Sequence, residues 1–194
     1  MTNIADATFD KLTVQPFISG RGPKIATIVD GTGHKFVFTL GDHVLTSPFG
    51  AGTFDRNPNA TRLTLELSVP SAMLSALQLL DAWVVAHCVA HKAELFPEWT
   101  EAEVASNYHS FLQYSDKYQS WRMRTKFSTV GLSACRFWCS DKEPLKYENV
   151  DTKTAGLRPW VQISGLWWQG RQYGLTLNIV DLRVDAAEAS VCPF

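Results

Sequence analysis

Residues 121–127, Trp-Arg-Met-Arg-Thr-Lys-Phe, alternate between cations and a largely apolar set. Successive side chains of an extended strand point to opposite faces. Trp121, Met123, Thr125 and Phe127 would then share one side, with Arg122, Arg124 and Lys126 on the other, about 6.6–7 Å apart. That interval is close to the phosphate repeat of an extended single-stranded nucleic acid, so this ladder could follow such a backbone. A second set combines Trp138, Trp160, Trp167, Trp168 and Tyr173 with Arg136, Arg158 and Arg171. Bases stack on aromatic faces at about 1–3 kcal/mol each, and arginine adds cation–π contact. Trp167 and Trp168 are adjacent and must face opposite sides of a strand. Trp167 shares parity with Val161 and Ile163, which predicts a core position. Trp168 shares parity with Trp160, Gln162 and Ser164, which predicts a place on a groove. The plain alternatives are a solvated strand face for the cations and rings covered by neighbouring elements.

Catalytic signatures are absent: no Walker loop, no Gly-x-Ser-x-Gly elbow, no His-Glu-x-x-His and no dinucleotide fingerprint. His87 and His91 are four residues apart, a spacing that could place two imidazoles on one metal. Cys135 and Cys139 would lie more than about 13 Å apart in a strand, too far to share one zinc. The expectation is no metal site, no cofactor and no chemistry of its own. The start, Met1–Asp6, lacks the features of a signal peptide. Cys88, Cys135, Cys139 and Cys192 are accordingly expected to be reduced thiols in an intracellular protein.

A chain of 194 residues with 45% hydrophobic residues suits one domain with a substantial core. The longest strongly apolar stretch, Ala82–Ala90, falls short of the roughly 20 residues that span a bilayer, so no membrane segment is expected. The net charge of −1 is uneven: residues 1–116 hold 7 basic and 12 acidic residues, and 117–171 hold 10 and 4. A basic segment between acidic flanks could meet a polyanion on one surface.

Strands are expected at Leu12–Ile18, Lys24–Val29 and Lys35–Leu40, the last two joined as a hairpin through Asp30-Gly31-Thr32-Gly33. Arg62–Val69 alternates as a half-buried strand. From Ser71 to Leu95, Met73, Leu77, Leu80, Val84, Cys88 and His91 trace an amphipathic helix that Pro97 ends. Thr100 and Glu103 form a capping box, opening a second helix with Val104, Tyr108, Phe111 and Leu112 on its buried stripe. Strands return at Trp121–Phe127, Cys135–Cys139 and the hairpin Pro159–Val184, turning at Gln169-Gly170-Arg171. The expected fold is α+β and mainly β: an oligonucleotide-binding-type small barrel over residues 1–184, with a helical pair inserted at about 71–115. Residues 185–194 would form a tail. A β-sandwich is the rival architecture.

Ser47-Pro48-Phe49-Gly50, the Leu-rich strand Arg62–Val69, the following long helix, Trp121–Phe127 and Trp160–Val184 occur in this order. In the last, Gly165-Leu166-Trp167 precedes the turn and Tyr173-Gly174-Leu175-Thr176 follows it. The pattern resembles the single-stranded DNA-binding proteins of nucleocytoplasmic large DNA viruses and their algal-virus relatives, distantly akin to those of podophages. It covers roughly residues 40–184. The resemblance implies an oligonucleotide-binding barrel that holds single strands without sequence preference in replication or recombination. It also implies a tail, here Pro193-Phe194, that docks on replication proteins. The modest positive charge and the short tail depart from the family. The expected partner is single-stranded nucleic acid, with replication proteins and a second copy of the chain as further partners. The rival function is a structural or assembly subunit that kept the barrel and lost the groove.

Overall fold

The computed structural model describes residues 2–19, 22–53, 57 and 59–185. Its elements, in chain order, are β1 (Thr2–Asn3), β2 (Thr13–Val14), β3 (Lys24–Val29), β4 (Val37–Thr39) and β5 (Arg62–Ser68), then α1 (Ser71–Ala90), α2 (Lys92–Leu95) and α3 (Glu101–Ser106). There follow β6 (Tyr108–His109), β7 (Leu112–Ser115), β8 (Ser120–Ser128), β9 (Arg136–Cys139), β10 (Pro144–Leu145), β11 (Gly156–Gln169) and β12 (Gln172–Asp185). The protein is mostly β with few helices.

The sheet runs β1-β4-β11-β12-β8-β5, with β3 beside β11, β6 and β9 beside β12, and β7 beside β8. The period-two pattern decides its faces. Leu63, Leu65 and Leu67 of β5, Met123 and Phe127 of β8, Leu177 and Ile179 of β12, and Val161 and Ile163 of β11 are buried in one core. Thr125 is buried with them, its hydroxyl donating to Leu65 O at 2.7 Å. Among the described strands, none pairs β5 back to β1. Leu45 does bridge to Leu157 on β11, and Thr46 O accepts from Ser68 N of β5 at 2.8 Å.

Two irregularities in the long β11–β12 hairpin redirect side chains. Trp160 pairs Asp181 while Val161 pairs Ile179, leaving Val180 extra; Ile163 pairs Leu177 while Gly165 pairs Thr176, leaving Ser164 extra. An extra residue shifts the side-chain parity of its strand. Core positions on β11 therefore run Val161, Ile163 and then Leu166. This overturns the facing expected for the two tryptophans: Trp168 follows Leu166 onto the packed side, and Trp167 turns outward. Gly165 makes the shift sterically possible. Its φ is +149°, and a Cβ there would stand 2.1 Å from Ala26 O.

Several sequence expectations need correction. The second helix ends at Ser106, and Tyr108 pairs with Tyr173 as a strand residue. The capping box is present as expected, but it specifies only a start. β3 and β4 are not hairpin partners; each pairs with a different stretch of β11. Leu12–Ile18 is a strand only at Thr13–Val14, and Lys35–Leu40 only at Val37–Thr39. The apolar stretch at Ala82–Ala90 belongs to a 20-residue helix that is long and apolar enough to cross a membrane, with a mean hydropathy of 1.5. Met73, Leu77, Leu80, Val84 and Cys88 are buried along one side of it, as in a core helix of a folded domain. Pro193 and Phe194 lie outside the described residues.

Candidate nucleic-acid interface

Opposite the core, the same strands present a polar row. Thr64 of β5 pairs with Lys126 of β8, Lys126 with Asn178 of β12, and Asn178 with Gln162 of β11. Arg124 is exposed one pleat away, across from Glu66. Burial and the neighbouring charges of Arg62 and Arg124 push the Lys126 ammonium below its ordinary range. The two arginines' smaller share of that depression reflects a positive local field beside Lys126, which an anion would relieve. Asn178 Oδ1 is buried and meets no donor among the described residues.

Hollows follow this row. One of about 230 Å3 holds Arg124, Lys126, Trp167, His109, Thr64 and Thr176. Another shares Arg124 and Thr64 with it and is walled by Phe49. A third, about 500 Å3, holds Arg62, Arg136, Gln162 and Asn178. Phe49 and Tyr118 pack edge to face at 5.6 Å and are both exposed. The ring of Trp167 lies against Gly174, where a Cβ would meet it at 3.0 Å. Cations thus run along a groove with aromatic faces at its side.

The sequence-predicted residues divide. Arg124, Lys126 and the exposed Arg171 carry no ion pair among the described residues. Arg122 is drawn off the ladder: its Nη1 meets Glu66 Oε2 at 2.9 Å, and its guanidinium lies over Phe49 and Tyr118 at 5.1 and 5.5 Å. Arg136 is bound to buried Asp181 at 2.6 Å, and Trp138 Nε1 donates to the other oxygen of the same carboxylate at 2.9 Å. Arg158 Nε meets Asp185 at 2.8 Å. Tyr173 is fully buried among Phe96, Trp99 and Tyr108, so no base can reach its ring. Trp168 packs on Phe17, Phe96 and Trp99 with Lys24 Nζ 4.0 Å above its ring. Sequence reasoning missed Arg62, Thr64 and Asn178, named Phe49 only within the Ser47–Gly50 motif, and assigned Trp167 to the core. They join the site through cross-strand register and a bulge, which no local pattern announces. His87 and His91 stack at 4.4 Å. No group of three or more His, Cys, Asp or Glu among the described residues is placed to hold a metal ion.

No family model matches the chain, and neither does any curated protein. Among solved structures it is similar to gp2.5, a single-stranded DNA-binding protein encoded by bacteriophage T7, at 10% identity over 78% of this chain and 86% of that one, with a TM-score of 0.51. It also matches the single-stranded DNA-binding protein of bacteriophage Enc34 in complex with ssDNA, at 8% identity over 89% and 94%, with a TM-score of 0.49. At these identities the likeness is one of fold, and the T7 protein carries it. The structural likeness therefore falls on the phage side of the resemblance read from the sequence. Nothing in it points to nucleocytoplasmic large DNA viruses.

Proposed function

We propose that the chain is a non-catalytic single-stranded DNA-binding protein of the oligonucleotide-binding type, holding strands apart in replication or recombination. The strand order β5-β8-β12-β11-β4, with β8 and β12 parallel, supports that fold, and the hydrogen bonds of Leu45 to Leu157 of β11 and of Thr46 to Ser68 of β5 lie where such a barrel would close. Such barrels bind oligonucleotides on the face of their second and third strands and on two flanking loops. Those strands correspond here to β5 and β8, and the loops to the Phe49 segment and the Gly170–Arg171 turn. The observation that carries the reading is the coincidence of that face with the Arg62, Arg124 and Lys126 groove. The T7 protein of like fold is itself a single-stranded DNA-binding protein. Cations would neutralise phosphates, and Trp167 and Phe49 would stack bases. The ion pairs on Arg122, Arg136 and Arg158 favour the rival, a structural subunit without nucleic-acid binding.

Salt titration of oligothymidylate binding separates the two. Three phosphate contacts predict a log–log slope of about −2, at roughly −0.7 per contact on single strands. Arg124→Ala/Lys126→Ala should bring it to about −0.7, with melting unchanged. Salt-independent or absent binding by the parent protein would leave the structural-subunit reading standing.

A further inference from the structure

We propose that the groove between Trp138 and Trp160 is a second nucleic-acid subsite, which receives bases of a single strand after the strand has crossed the sheet from Lys126. The inference rests on the single-strand-binding reading and extends it to a part of the surface away from β5 and β8. The groove is about 600 Å3 in volume, with Trp138, Trp160, His43, Lys142, Arg158 and Arg183 among its walls.

Bare rings are the first observation. Trp83, Trp99, Trp121, Trp167 and Trp168 each contact another aromatic ring. Among the described residues, Trp138 and Trp160 contact none, and Trp160 is 38% exposed. The second is orientation. Trp138 is held by its indole N–H on Asp181, a carboxylate 3% exposed whose other oxygen takes Arg136. A ring fixed at its polar end keeps its faces free, at little ordering cost to a stacking base. The third is charge. Among the described residues, Asp185 is the one carboxylate paired with Arg158 and Arg183, at 2.8 and 3.0 Å, Arg158 Nη1 also donates to Asp42 O, and Lys142 has no ion pair. With Asp42 on the groove wall and the Arg136–Asp181 pair included, four cations stand against three carboxylates, a balance of +1 beside the two indoles that suits a base with its phosphate.

Continuity is the fourth. Gln162 ends the polar row from Lys126, and Trp160 stands two residues before it on the same outward face. Arg136 lines the hollow that holds Gln162 and Asn178, and its partner Asp181 lines the tryptophan groove. From β8 to β11 is two strand spacings, about 10 Å, and the step to Trp160 adds about 7 Å. An extended strand covers that in two or three nucleotides. The subsite therefore matters only for oligomers longer than those filling the β5–β8 face.

The test compares oligothymidylates of about 6 and about 16 nucleotides, within the range one such barrel occupies. Fluorescence anisotropy would be read for the parent chain, Trp160→Ala and Lys142→Glu, both at exposed positions, with thermal melting alongside. The expected result is a loss of about ten-fold in affinity for the longer oligomer and none for the shorter. Equal binding of both lengths by parent and variants would overturn the subsite. An equal loss at both lengths would overturn it too, because the groove would then not be a separate station. If the parent binds neither length, the single-strand-binding reading itself falls, and this one with it.

Discussion

Trp167 and Trp168 are neighbours in the chain with different surroundings. Trp168 makes ring contacts at 5.4, 5.1 and 5.6 Å with Phe17, Phe96 and Trp99, and its N–H donates to Gly170 O at 2.9 Å. Among the described residues Trp167 touches one ring, His109 at 6.1 Å, and it stands beside Arg124 and Lys126. Replacing Trp168 by Ala removes packing from an aromatic cluster and should cost about 3 kcal/mol of stability, the low end for buried tryptophan. Trp167→Ala should melt close to the parent and lose about 1–3 kcal/mol of oligonucleotide affinity. Thermal melting with a binding titration on each variant distinguishes them; a Trp167→Ala protein that melts early and binds normally would exclude the ring from the interface. The cation ladder and the interleaved tryptophans were legible from residue types alone. Which members are free was not, because Glu66, Asp181 and Asp185 reach their arginines from other strands.

At the scale of elements, legibility followed the range of the interactions that fix each one. β5, β8 and the β11–β12 hairpin alternate over many residues, and α1 carries a sustained three-and-four spacing, so local pattern suffices. Tyr108 and Phe111 also fit a helical spacing after Val104, yet pairing of β6 with β12 and of β7 with β8 draws that stretch into the sheet. Tertiary pairing overrode a pattern only two turns long. The parity shift in β11 is likewise fixed at long range, by Ala26 of β3 against Gly165. Gly165→Ala tests this. At φ +149° an alanine is strained, and its Cβ meets the Ala26 carbonyl, so the two effects together should cost about 3 kcal/mol or more. Denaturant unfolding measures it. A variant as stable as the parent would mean that the close approach of β3 does not fix the shift.

Across the whole molecule, a net charge of −1 coexists with a local cluster of Arg62, Arg124 and Lys126, whose arginines add to the burial that depresses the lysine. The acidic first 116 residues still contribute the groove wall at Phe49 and the row at Thr64. Positive charge gathered in local patches rather than spread over the surface would attract a polyanion only there. Binding there would draw on two sources, phosphate neutralisation that fades with salt and base stacking on Trp167 and Phe49 that does not depend on counterions. A duplex offers phosphates but keeps its base faces within the helix, so it can use only the first. Single strands should accordingly outcompete a duplex of equal length by about ten-fold or more, one stacked base being worth that much. The margin should widen as salt rises, because the shared electrostatic part shrinks for duplex more steeply, at about −0.9 per contact against −0.7. Competition titrations at two salt concentrations measure both. Equal affinity for duplex and single strand at either concentration would show that the rings do not stack and that only the cations bind.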